Sequence, residues 1–90
     1  MPVVSKPASP PTLNIIARAP FHIYYEGPAL SLSAKNRVGA FDILPGHADF
    51  FSMLVPCTVT LTTKKEDISF EIYSGMLTVK SDEVMLFVNM

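Results

Sequence analysis

The run Gly39-Ala40-Phe41-Asp42-Ile43-Leu44-Pro45-Gly46-His47-Ala48 narrows the fold more than any other part of this chain. Phe41 to Leu44 reads as a short strand driven directly into a Pro-Gly corner. A strand stops at Pro45, which has no N–H for a ladder, and Gly46 admits backbone angles closed to other residues. The segment therefore predicts a strand that ends abruptly and presents His47 at a rim. Away from this corner the sequence is compatible with many small β-proteins.

Outward from the corner the chain alternates with the period of two that marks half-buried strands. Val59 and Leu61 face one way, and Thr58, Thr60 and Thr62 the other. Ile68, Phe70 and Ile72 oppose Ser69, Glu71 and Tyr73, and Leu77 and Val79 oppose Thr78 and Lys80. Leu30 and Leu32 alternate with Ser31 and Ser33. The first run, Leu13 to Ala19, is less regular, and Pro20 bends it into a second, Phe21 to Glu26. Val84 to Val88 is apolar at every position, which predicts a central strand or one covered on both sides. Turn residues fall between these runs at Gly27-Pro28, Asn36, Pro45-Gly46, Pro56, Lys64 to Asp67, Gly75 and Ser81-Asp82. No stretch repeats apolar residues at helical spacing over three turns. The expected fold is all-β, a small sandwich or partly closed barrel of about ten short strands.

Ninety residues make one domain, large enough to bury roughly two-thirds of its unfolded surface without disulfides or metal. Residues 1–12 hold four of the eight prolines and read as an extended, flexible tail, so the folded domain is expected over 13–90. The chain is 49% hydrophobic and only 17% charged, an excess that predicts apolar surface kept for a partner besides the core. Seven basic and eight acidic residues leave a net charge of −1, with no footprint for nucleic acid. Lys64-Lys65 is cancelled at once by Glu66-Asp67. The longest apolar runs cover about a quarter of the ~20 residues needed to span a bilayer. Lys6 is followed by prolines rather than an apolar stretch, so no secretory signal is visible. The single cysteine, Cys57, excludes an intrachain disulfide and fits a reducing compartment.

Candidate chemistry is sparse. His22, His47 and Cys57 are the only soft metal ligands, and they lack the paired spacing of a zinc site, so neither a metal nor a cofactor is expected. Cys57 follows Pro56 at the start of a strand, a place where cysteine packs rather than reacts. Asp42 and Asp49 flank His47, but the simpler reading has Asp42 pointing off a strand and Asp49 capping the turn. The four glycines are dispersed and form no phosphate loop. An enzyme is not expected, nor a direct small-molecule substrate. Tyr24-Tyr25 and Phe50-Phe51 carry a different message: neighbours on a strand point to opposite faces, so at least one of each pair should leave the core. Exposed aromatics of this kind fit a protein interface.

The corner also carries a family resemblance. Gly39-Ala40-Phe41-Asp42-Ile43-Leu44-Pro45-Gly46-His47-Ala48 resembles the Gly-x-Phe-Gly-Ile-Leu-Pro-Gly-His-Ala signature of the N-terminal β-sandwich domain of ATP synthase epsilon subunits (delta in mitochondria). The likeness runs from about Leu13 to Asn89. It includes the Ala19-Pro20 step, Glu26-Gly27, the Leu54-Val55-Pro56-Cys57 turn, Ser74-Gly75-Met76-Leu77-Thr78-Val79 and a last strand over Glu83 to Val88. Asp42, Cys57 and Ser74 stand where the family has glycine, and Asp49-Phe50 where it commonly has proline and an aliphatic residue. The loop Lys35-Asn36-Arg37-Val38 is basic where the family is often acidic. The family's C-terminal helical hairpin is not expected in a chain that stops at Met90.

The resemblance implies a non-catalytic rotor element of the central stalk of a proton-transporting ATP synthase. It would link the gamma subunit to the ring of c subunits, and so belong to a peripheral complex on the cytoplasmic face of a bacterial membrane or its mitochondrial or plastid equivalent. By the same resemblance Lys35, Asn36, Arg37, Val38, Pro45, Gly46 and His47 would face the c-ring, and Phe50 and Phe51 the gamma subunit. A stand-alone β-sandwich interaction module is the alternative.

Overall fold

The computed structural model describes residues 12–46 and 48–89. These form nine strands and no helix: β1 (Leu13–Ala19), β2 (His22–Ala29), β3 (Ser31–Asn36), β4 (Gly39–Ile43), β5 (Phe50–Leu54), β6 (Cys57–Thr62), β7 (Asp67–Ile72), β8 (Gly75–Lys80) and β9 (Glu83–Val88). The all-β architecture and the sequence-derived strand spacing agree. Hydrogen bonding runs in the order β2-β1-β9-β8-β5-β3-β6-β7, with β4 attached to β3. Neighbouring strands are antiparallel except β1 and β9, which pair in parallel from opposite ends of the chain. The sheet curls until its outermost strands, β2 and β7, meet through aromatic side chains, giving a nearly closed flattened barrel.

Alternation builds the core. Val59 and Leu61 of β6, Leu77 and Val79 of β8, and Val84, Leu86 and Val88 of β9 all point inward and are buried. Leu13, Ile15 and Ala17 of β1 and Leu32 and Ala34 of β3 join them in one cluster. At roughly 25 cal/mol per Å² of apolar area removed from water, this layer is the main source of stability. As the continuous apolar run predicts, β9 is central, held between β1 and β8.

Three local expectations change once the pairing is seen. Gly27-Pro28 does not turn the chain; both lie inside β2, with Pro28 opposite Asn14. An edge strand tolerates proline because one side of its ladder is unpaired. The turn comes later, at Leu30, whose N–H donates to the Thr62 carbonyl over 2.6 Å. Gly75 opens β8 instead of sitting in a turn, because a Cβ there would lie 3.0 Å from the Phe87 carbonyl oxygen. Close backbone approach, not a turn angle, explains that glycine. Finally, both Tyr24 and Tyr25 pack against the core. A bulge makes this possible: Ala17 pairs with Tyr25 and Arg18 with Ile23, so Tyr24 is the extra residue and the alternation skips a step. For Phe50-Phe51 the simple rule holds, with Phe50 packed on the core and Phe51 58% exposed.

Candidate partner interface

The two outer faces of the barrel differ in chemistry. On one side, Phe51, Thr78, Met85, Ile16 and Glu26 lie in register across β5, β8, β9, β1 and β2. The next row runs Met53, Met76, Phe87, Arg18 and Ile23. These residues alternate with the buried ones and so face outward together. Met53 is 58% exposed and Met85 43%, so this face carries a continuous apolar band. A shallow depression of about 410 Å³ opens on it, lined by Thr78, Lys80, Ser81, Glu83 and Met85. On the other side, Asp42, Ser33, Thr60 and Ser69 form a row across β4, β3, β6 and β7. Ser33 donates to Asp42 Oδ1 at 2.6 Å, and the Thr60 and Ser69 hydroxyls are 3.2 Å apart. That row is polar throughout, whereas the first face is largely apolar.

The predicted contact residues fall in separate places. Lys35 to Val38 form the end of the β3–β4 hairpin, where Asn36 pairs with Gly39. Pro45 and Gly46 follow the opposite end of β4, where Ile43 pairs with Leu32. Four residue steps of strand, about 13 Å, separate the two. The structure therefore does not gather them into one tip. His47 lies outside the described residues.

Asn36 is committed to its own hairpin. Its Oδ1 accepts from the N–H groups of Val38 (2.9 Å) and Gly39 (3.2 Å), and its Nδ2 donates to Ser52 Oγ at 3.0 Å. Such an Asx arrangement holds the turn shut. Val38 is 96% exposed at the tip, with Lys35 and Arg37 also exposed beside it. The Lys35 carbonyl accepts from Val55 N–H at 3.2 Å, anchoring this end to the β5–β6 connection.

The corner is built differently. Gly46 has φ of +84°, the value a type II turn demands after Pro45 at its second position. Its N–H donates to Asp82 Oδ1 at 2.8 Å. Reciprocally, Ser81 N–H donates to Asp49 Oδ1 at 3.3 Å. Ser81 and Asp82, at φ of 50° and 65°, form the primed turn that joins β8 to β9. The corner is thus tied to the rim of the apolar face rather than to the hairpin tip. Asp42 bonds Ser33 and Asp49 bonds Ser81, so both acids flanking position 47 have structural partners. Cys57 is half-buried with its Sγ 3.9 Å from the Lys35 carbonyl.

Two features escaped the sequence. The band formed by Met53, Met76, Met85 and Phe87 is spread over three strands, and only the doubly apolar Val84-to-Val88 run hinted at it. Asp82 gave no signal beyond a turn. A second concavity, about 540 Å³, lies between Tyr25, Leu30 and Lys64-Lys65. Among the described residues no three His, Cys, Asp or Glu side chains converge as a metal would require, and no helix is long and apolar enough to cross a membrane.

A curled nine-stranded barrel with one largely apolar and one polar outer face defines a small β-sandwich domain. The chain belongs to the family described as the ATP synthase delta/epsilon chain β-sandwich domain, whose model matches residues 12–90. It is 37% identical over 76 residues to the ATP synthase epsilon chain of Clostridium novyi (strain NT), covering 83% of this chain and 58% of that one. It is 40% identical over 50 residues to ATP synthase epsilon chain 2 of Paraburkholderia xenovorans (strain LB400), covering 54% of this chain and 36% of that one. The fold matches a chain in the central stalk/c-ring structure of Tetrahymena thermophila mitochondrial ATP synthase with TM-score 0.75 and 15% identity, over 87% of this chain and 63% of that one. It also matches a chain in the Euglena gracilis mitochondrial ATP synthase, c-ring included, with TM-score 0.81 and 15% identity, over 98% of this chain and 58% of that one. The chain spans little more than half the length of the longer-matching curated relative.

Proposed function

We propose that this chain acts as the β-sandwich part of a central-stalk subunit in a rotary, proton-transporting ATP synthase. It joins a gamma subunit to the ring of c subunits, helps rotation pass between them, and performs no chemistry itself. The continuous apolar band around Phe51 carries this reading, because a monomeric domain gains nothing from exposing it. The curated relatives named above are epsilon chains, and both solved assemblies named above include the c-ring.

In this reading the gamma subunit covers the apolar face, with Phe51 and Met53 as desolvated anchors and Phe50 supporting them from inside. The hairpin tip, with Lys35, Arg37 and Val38, meets the c-ring, while Asn36 shapes that tip without reaching the partner. The family resemblance groups Pro45, Gly46 and His47 with the tip, and of these only Pro45 and Gly46 lie among the described residues. The tie between Gly46 and Asp82 supports placing Pro45 and Gly46 along the border of the gamma-facing surface instead. The complex would lie on the cytoplasmic side of a bacterial membrane, or its organellar equivalent.

Co-elution of the purified chain with a gamma subunit from the same source tests the assignment. Binding that is lost on Phe51→Ser, with the β-rich circular dichroism spectrum unchanged, is the expected result. Absence of gamma binding by the unaltered chain would overturn the rotor reading and leave a stand-alone interaction module.

A further inference from the structure

The β4–β5 loop is latched to the β8–β9 turn by two hydrogen bonds running in opposite directions. Gly46 N–H donates to Asp82 Oδ1 at 2.8 Å, and Ser81 N–H donates to Asp49 Oδ1 at 3.3 Å. Each segment supplies one backbone donor and one carboxylate acceptor, so the two turns are held to each other at two points. We infer that Asp82 is a positioning residue for partner binding: it locks the Pro45-Gly46 corner against the rim of the apolar face in the orientation that a gamma subunit meets. The inference rests on the rotor reading above and adds to it a residue that touches no partner itself.

Three observations converge on Asp82. Its side chain holds the corner through Gly46. Its carbonyl oxygen accepts from Asn14 N–H at 2.9 Å, fixing the turn to the start of β1. Its backbone sits at φ of 65°, a conformation that aspartate, asparagine and glycine adopt more readily than other residues. The turn therefore presents the carboxylate from a frame fixed on both sides. A charged acceptor makes a stronger bond to a backbone N–H than a neutral one, which suits a latch exposed to water. The latch also reaches the docking surface, since Ser81 lines the shallow depression between Lys80, Glu83 and Met85. Releasing the corner would leave the strands in place while changing the outline of that border.

The geometry also dictates the choice of variants. Alanine at 82 would strain the turn, so its effect would mix two causes. Asp82→Gly keeps the backbone angle and removes the acceptor, whereas Asp82→Asn keeps both the angle and an oxygen for Gly46. Amide hydrogen exchange at Gly46 and Ser81 in the full chain reads the latch directly, and titration with purified gamma subunit reads its consequence. The expected result is that Asp82→Gly abolishes slow exchange at Gly46 and weakens gamma binding by about tenfold, with the sheet amides still protected. Asp82→Asn should recover most of the protection and most of the affinity. If Asp82→Gly frees the Gly46 amide but binds gamma as tightly as the unaltered chain, the positioning role is wrong while the rotor reading survives. If the unaltered chain does not bind gamma at all, the rotor reading fails and the positioning role with it.

Discussion

Tyr24 of β2 lies stacked on Phe70 of β7, with ring centroids 4.7 Å apart and planes 18° from parallel. The two residues come from the outermost strands of the sheet, which share no ladder, so this contact shuts the barrel where backbone hydrogen bonds do not. The Tyr24 hydroxyl is also 3.3 Å from Asn89 Nδ2, and Asn89 Oδ1 accepts from Tyr73 N–H at 2.8 Å. An open seam would expose two sheet edges, the common starting point for edge-to-edge aggregation. Aromatic packing thus covers the gap between these two edges, although their backbone groups form no ladder with each other.

Loss of this contact should therefore be felt in stability. Phe70 is half-buried, so Phe70→Ala is expected to cost about 2 kcal/mol, below the range for a fully buried ring. A double-mutant cycle with Tyr24→Ala should return a coupling of about 1 kcal/mol, read from urea unfolding curves. Strictly additive effects would show that the stacked geometry contributes nothing of its own.

Phe50 and Phe51 should separate stability from binding. Phe51→Ser removes an exposed ring and should leave the melting temperature within ~3 °C while reducing gamma affinity by about 2 kcal/mol, roughly 30-fold. Phe50 packs on the core and meets Phe41 edge-on at 5.5 Å, so Phe50→Ser should instead destabilise the fold by about 2 kcal/mol. Thermal melts and binding titrations of the two variants decide the matter, and reversed outcomes would mean that the wrong ring was assigned to the partner.

At the hairpin tip, structure and contact are divided among neighbours. Asn36→Ala leaves the Val38 and Gly39 N–H groups without their acceptor and removes the donor to Ser52 Oγ, and it should cost about 1–2 kcal/mol in chemical denaturation. Arg37→Ala and Val38→Ala lie on exposed positions and should stay within about 0.5 kcal/mol of the parent. An effect of Arg37→Ala on c-ring association at unchanged stability would mark the tip as a contact surface.

Gly75 gives a purely steric prediction. An added Cβ would meet the Phe87 carbonyl oxygen at 3.0 Å and Ile72 Cδ1 at 3.3 Å, both inside the packed sheet. Gly75→Ala should destabilise by about 1–2 kcal/mol, and a neutral result would mean that β8 and β9 shift apart with ease.

Residues 1–12, of which 1–11 lie outside the described residues, are rich in proline, and removing them is predicted to leave the melting temperature within a few degrees. A fall of more than ~8 °C, beyond what about 1 kcal/mol explains in a domain of this size, would show that the segment docks on the barrel.

Much of the architecture was legible because strand patterning is local. Val59 and Leu61 against Thr58, Thr60 and Thr62 needs no knowledge of neighbours, and the Pro45-Gly46 stop follows from one missing N–H and one permissive backbone. The same corner carried the family likeness. What the alternation cannot state is which strand lies beside which. The parallel pairing of β1 with β9 joins segments from opposite ends of the chain, and it is this pairing that brings Ile16 beside Met85 and extends the apolar band. The β2 bulge, which lets Tyr24 and Tyr25 share one side, depends on how β2 must bend to reach β7 and leaves no mark in the alternation. Placement of the hairpin tip and the corner at opposite ends of β4, and of Asp82 under Gly46, likewise arises from pairing between distant segments. Residue chemistry by itself determined the strands, their inner faces and the place where one of them breaks. Only tertiary structure decided which outer residues became neighbours, because a period of two orders the side chains along a strand and says nothing about the strand next to it.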